Sequence, residues 1–165
     1  MEENNKVISI FKKPAVKNVL FALAIAVFGF LLWNLTFGLY ALFQRFVDII
    51  ASSFISSEAA APNWYFALRH LLFLALILLI TWIIFRTKLQ PIYKAIFMTV
   101  PLAVVYLTIG IFFYQWPLLV YAICGLLTLG LLYYFVSRKK SWLYSYTVIF
   151  VAVTLLIVMI TGVEI

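Results

Sequence analysis

The chain has 165 residues, 67% of them apolar and 10% charged, with a formal charge of +7. Ordinary soluble domains are near half apolar and a quarter charged, and a domain this small buries only part of its chain, so a water-soluble globule is excluded and lipid must cover the rest. One cysteine (Cys124) and one histidine (His70) exclude an internal disulfide, a CxxC redox pair, a cysteine zinc site and a histidine-rich metal centre.

Lys6, Lys12, Lys13 and Lys17 precede the first apolar run, and Ala22-Leu23-Ala24 inside it mimics a signal-peptidase box. That box comes only a few residues into a run that continues to about Phe43, so an uncleaved helix is expected rather than a signal peptide. A helix of roughly 20 apolar residues crosses a hydrocarbon core about 30 Å thick. Five stretches qualify, Val19–Phe43, Tyr65–Phe85, Ile92–Tyr114, Pro117–Val136 and Trp142–Gly162, and the expected fold is an all-α bundle of five membrane helices in a single domain.

After the first span, Leu42, Phe43, Phe46, Val47, Ile49 and Ile50 recur at helical spacing, with Gln44, Arg45, Asp48 and Ser52 on another face. The spacing predicts a helix over 39–51. It either continues span one out of the membrane or bends at Gly38 into an interfacial helix. The external segment is 44–63, and its serine-rich and alanine-rich second half reads as an exposed loop. Pro101 in span three is expected to free the Phe97 carbonyl and kink the helix. The links Arg86–Pro91, Gln115–Pro117 and Ser137–Ser141 are short, which predicts that spans two to five pack as a meander.

Under strict alternation ten of the twelve basic residues fall on the side of the N-terminus. The positive-inside rule then puts the N-terminus in the cytoplasm and the C-terminus outside. Trp64, Tyr65, Tyr114 and Trp116 at one set of boundaries, and Trp82, Tyr93, Tyr133, Tyr134, Trp142 and Tyr144 at the other, agree with aromatic belts. The positive charge is therefore a topology signal and a handle for anionic lipids, not a nucleic-acid patch.

Polar residues in hydrocarbon are candidates for function. Asn34, Gly38, Ala41, Arg45, Asp48 and Ser52 form one stripe on span one, and Asn63, Ala67, His70, Leu74, Ile77 and Thr81 form another on span two. Tyr121, Cys124 and Thr128 share a face with Gly125 beside them, and Thr147, Thr154 and Thr161 recur every seven residues. Close helix packing explains the threonines of span five and the set Cys124, Gly125 and Thr128. Asn34 and His70 both lie roughly 8 Å below the outer boundary, and Thr108 and Tyr121 come out near the same depth. If these faces converge, they form an outer-leaflet pocket beneath Arg45, Asp48, Arg69 and Gln115, with a neutral His70 ring satisfied by Asn34, Thr108 or Tyr121. The alternative is that Arg69 and His70 snorkel to headgroups.

No carboxylate pair, magnesium-binding acid cluster or GxSxG elbow is present, and no motif calls for a cofactor. Three functions fit. The first is a non-enzymatic subunit of the plasma membrane that binds or moves a small or lipidic ligand, beside other subunits or copies of itself. The second is a structural or regulatory partner without ligand. The third is an enzyme acting on a lipid headgroup through Arg45, Asp48, Arg69 and His70.

Overall fold

The computed structural model describes residues 14–52 and 63–161, which form five α-helices and, among the described residues, no strand. They are α1 (Pro14–Ser52), α2 (Asn63–Arg86), α3 (Pro91–Phe112), α4 (Pro117–Ser137) and α5 (Trp142–Thr161). Each is long and apolar enough to cross a membrane, and the chain is a multi-pass membrane protein. The expected loop over 53–62 and the last residues of span five lie outside the described residues.

Local chemistry places the helix ends. Pro91 and Pro117 open α3 and α4, where a missing backbone N–H costs nothing. α4 closes on a left-handed residue, Lys139 (φ 49°), with the Lys140 N–H reaching back to the Phe135 carbonyl at 2.9 Å. α1 runs unbroken for 39 residues, through Gly38 and the amphipathic stretch. At 1.5 Å per residue it is about 58 Å long, nearly twice the hydrocarbon thickness, so the continuation alternative holds and its C-terminal part stands proud of the core. Phe43 and Val47 are half-buried there, whereas Phe46 and Ile50 are exposed.

α3 is the hub. It packs against all four other helices, and its most extensive contacts are with α1 and α5 rather than with its chain neighbour α4. Consecutive spans two to five do pack against one another as a meander requires, but the packing as a whole is centred on α3. Helix α3 remains continuous through Pro101, which is buried. Two close crossings explain why this helix takes the middle. Thr99, fully buried, shares its hydroxyl between its own Ile96 carbonyl at 2.8 Å and the Gly29 carbonyl of α1 at 3.3 Å. Thr147 of α5, also fully buried, bonds Leu143 at 2.9 Å and the Ala95 carbonyl of α3 at 3.2 Å. Small residues at 29, 95, 99 and 147 let backbones approach, the usual basis of helix association in lipid. A main core built around Ile25, Trp33, Ala95, Ala103, Val148 and Val151 fills the α1–α3–α5 interface. A smaller one, Phe73, Ile77, Val100 and Val104, seats α2.

The face of α1 that packs is Ile25, Gly29, Trp33, Thr36 and then Tyr40. The stripe expected to face the bundle turns outward: Asn34, Gly38, Ala41 and Arg45 are all exposed. On α2 the expected stripe does face inward, with His70 and Ile77 buried.

A Cβ added at Gly29 would stand 2.6 Å from Thr99 Cγ2, closer than atoms can sit. Gly29→Ala is therefore expected to lower stability by about 1–3 kcal/mol in thermal unfolding in detergent. Because Thr99→Ala removes the obstructing methyl, the double variant should cost less than the two single changes added together.

Candidate functional site

Two features occupy the half of the bundle where α1 ends and α2 begins. The first is a polar cluster across α1, α2 and α3. His70, buried at 8% exposure, has both ring nitrogens engaged: Nδ1 lies 3.1 Å from the Tyr40 hydroxyl of α1 and Nε2 lies 2.9 Å from Thr108 Oγ1 of α3. Thr108 donates its one hydroxyl hydrogen to the Val104 carbonyl at 2.6 Å. It can then only accept from the ring, so the proton sits on Nε2 and Nδ1 accepts from Tyr40. The result is a directed chain, Tyr40 to His70 to Thr108 to the Val104 carbonyl, that satisfies a neutral imidazole completely. Tyr40 also meets the His70 and Phe73 rings edge-on, and Phe112 lies against His70 on its other side.

Toward the helix ends the cluster becomes ionic. Arg69 Nη1 donates to both Asp48 carboxylate oxygens, at 2.5 and 2.7 Å, and the Tyr65 hydroxyl donates to the same carboxylate at 2.8 Å. The Arg69 guanidinium lies over the Tyr65 and Phe66 rings, 5.1 and 5.0 Å from their centroids. Asp48 is half exposed, so solvent screens the ion pair and it adds little stability by itself. Its effect is positional: it ties the last turns of α1 to the first turns of α2.

Of the eight residues expected to converge, four do so: His70 with Thr108, and Asp48 with Arg69. The other four lie elsewhere. Asn34 is exposed and donates back to the Phe30 carbonyl of its own helix at 2.8 Å. Arg45 is exposed on α1. Gln115 lies in the α3–α4 link, donating to the Tyr114 hydroxyl at 3.0 Å. Tyr121 lies on the opposite side of α3, in the second feature. The residues missed were Tyr40 and Tyr65. Trp33, Thr36, Tyr40 and Gln44 form a stripe of their own on α1, and that spacing is the signal that could have found Tyr40.

The second feature is a groove of about 740 Å³ between α3, α4 and α5. Leu107, Val120, Leu129, Leu155, Leu156 and Met159 form its apolar walls. At its deep end the Tyr106 hydroxyl is hydrogen-bonded to Thr128 Oγ1 at 2.7 Å, with Cys124 one turn closer to the start of α4. Tyr114 and Tyr121 line it nearer the helix ends. Gly110 and Gly125 both line it, and a Cβ at either position would meet nothing within 4 Å. The face of Cys124, Gly125 and Thr128, expected from sequence to be a packing face, is thus left open. Comparison with protein-family models, with curated proteins and with solved structures gives no match.

The hydroxyl chain and the outward Asn34 generate opposite expectations. Tyr40→Phe leaves the Nδ1 acceptor unpaired and should cost about 1 kcal/mol in thermal unfolding in detergent, coupled to His70→Phe in a double-mutant cycle. Asn34→Ala, which removes only a bond within its own helix, should change stability little.

Proposed function

We propose that this multi-pass membrane protein is a non-enzymatic subunit that binds, or helps to move, an apolar lipid-like ligand in the groove between α3, α4 and α5. The observation that carries this reading is the groove itself. Its volume of about 740 Å³ is that of a ligand site, its walls are apolar, and it holds a few convergent polar groups at Tyr106, Cys124 and Thr128. An acyl chain or similar body could lie along it, with Tyr114 and Tyr121 near the polar end.

Headgroup chemistry at the other cluster is less well supported by the geometry. Asp48 and Arg69 are spent on one another, both His70 nitrogens are engaged within the bundle, and Arg45 lies apart. The cluster is better suited to fixing α1 and α2 on α3, which gives the groove a rigid back wall.

The orientation we favour, N-terminus in the cytoplasm of a plasma-membrane protein, rests on the sorting of basic residues. Among the described residues Lys17, Arg86, Lys88, Lys94 and Arg138–Lys140 all lie at the end where α1 begins, with no carboxylate among them. Association with other membrane subunits or with a second copy is supported by the outward stripe of Asn34, Gly38 and Ala41, where another helix could approach closely.

Gly125→Leu tests the groove with little disturbance of the fold, because open space surrounds the position. Saturable binding of a pyrene-labelled acyl-chain probe to the purified protein should weaken about tenfold, or roughly 1.4 kcal/mol, with unchanged thermal stability. Probe affinity unaffected by both Gly125→Leu and Gly110→Leu would mean that the groove is not the site.

A further inference from the structure

At the opposite end of the bundle, the end where α1 begins, there is a separate cavity of about 420 Å³. It lies where the beginnings of α1, α3 and α5 meet, and its polar walls are Lys17, Asn18, Gln90 and Ser141, above an apolar floor that includes Phe21 and Leu143. We infer that this cavity binds the phosphate of an anionic membrane lipid, with the lipid's chains passing down beside Phe21 and Trp142.

Three observations carry this. The first is the composition of the cavity: an ammonium, two amides and a hydroxyl over apolar side chains match a charged head on a hydrocarbon body. Lys17 lies with its Nζ 5.5 Å from the Phe21 ring centroid, so its stem covers the floor while its charge stays at the rim. The second is the charge around it. Arg86, Lys88, Lys94 and Arg138–Lys140 occupy this end, and among the described residues no carboxylate stands with them to compete for the cations or repel a phosphate. Lys17 is the basic residue of this set that lines the cavity, and two of the others are engaged elsewhere. Lys94 donates to the Phe85 and Thr87 carbonyls at 3.0 and 2.7 Å, and Arg86 stacks 4.3 Å from the Trp82 centroid. The third is the backbone. Ile92 of α3 and Trp142 and Leu143 of α5 lie in the cavity wall within the first turns of their helices, where backbone N–H groups have no partner within the helix; Pro91 carries no N–H, and the Tyr93 and Lys94 N–H groups already bond the Gln90 carbonyl. Gln90, at the N-cap of α3, makes no side-chain cap bond to them. Such ends favour an anion and supplement Lys17. The cavity is also the right place for a lipid, because α3 and α5 begin their crossing here and a headgroup phosphate lies at that level.

The alternative is a diffuse attraction between any cationic end and any anionic bilayer. The two are separated by comparing lysines of equal charge. Full-length protein in detergent micelles would be titrated with phosphatidylglycerol or phosphatidylcholine and bound lipid counted by native mass spectrometry. Tighter binding of phosphatidylglycerol is expected, weakened about fivefold by Lys17→Gln and restored by Lys17→Arg, while Lys139→Gln, of the same charge change but outside the cavity, lowers it less than about twofold. Gly125→Leu should leave this binding unaltered, which keeps the site distinct from the α3–α4–α5 groove. Equal losses for Lys17→Gln and Lys139→Gln, or no preference between the two lipids, would overturn the site. Displacement of the lipid by excess inorganic phosphate would assign the cavity to a free anion instead and overturn its reading as a lipid site.

Discussion

In hydrocarbon a polar group has no water to turn to, so it finds a protein partner or destabilises the fold, and this constraint organises the whole bundle. Several threonines meet it locally: Thr36, Thr81, Thr154 and Thr161 each return a hydroxyl to the carbonyl four residues back. Thr99, Thr108, Thr128 and Thr147 do the same or nearly so while also engaging a second helix. These contacts mark where α1, α2, α4 and α5 dock, two of the threonines belonging to α3 and the other two reaching an α3 hydroxyl or carbonyl. Apolar burial cannot choose partners inside a membrane, because lipid tails are as apolar as leucine. Hydroxyl bonds and close backbone approach can, and they make α3 the centre.

The consequence is an asymmetric molecule. On one side of α3 the interfaces are closed by Gly29 against Thr99, by the Tyr40–His70–Thr108 chain and by the Asp48–Arg69–Tyr65 cluster. On the other side α4 meets α3 less extensively and leaves the groove beside Cys124 and Gly125. A site of this kind benefits from such a back wall, since a pocket whose rear helices are pinned does not have to be ordered by its ligand. On the proposed reading, the polar residues that first draw attention brace the groove rather than line it.

How much of this was legible in the sequence depended on which physical quantity each pattern reports. Span length and apolarity are direct readouts of bilayer thickness, so the five helices follow from them, and the helix over 39–51 follows from the spacing through Arg45 and Asp48, which left open whether it continued span one or bent at Gly38. Depth was legible too: His70 and Thr108, estimated at one level, are hydrogen-bonded. Depth does not give azimuth, however. Asn34 shares the level of His70 and faces away, and Tyr121 lies behind α3. On α1 two stripes competed, Asn34-Gly38-Ala41-Arg45 and Trp33-Thr36-Tyr40-Gln44. The small residues of the first suggested close packing, but the close approach was made lower down, at Gly29. The groove was not legible, because periodicity assigns residues to a face and does not say whether a neighbouring helix fills the space opposite it.

The central claim is that the space beside α4 is an apolar site open to lipid-like molecules while the His70 side is closed. Cys124, the one cysteine of the chain and half-buried in the groove wall, reports on it without any substitution. The most direct measurement is the rate at which the folded protein in detergent or lipid reacts with an apolar maleimide and with a charged one of similar size. The account predicts modification of Cys124 by the apolar reagent, slowed by the acyl-chain ligand, and little by the charged reagent. Modification of Cys124 by neither reagent until the protein is unfolded, or by both at equal rates, would contradict it.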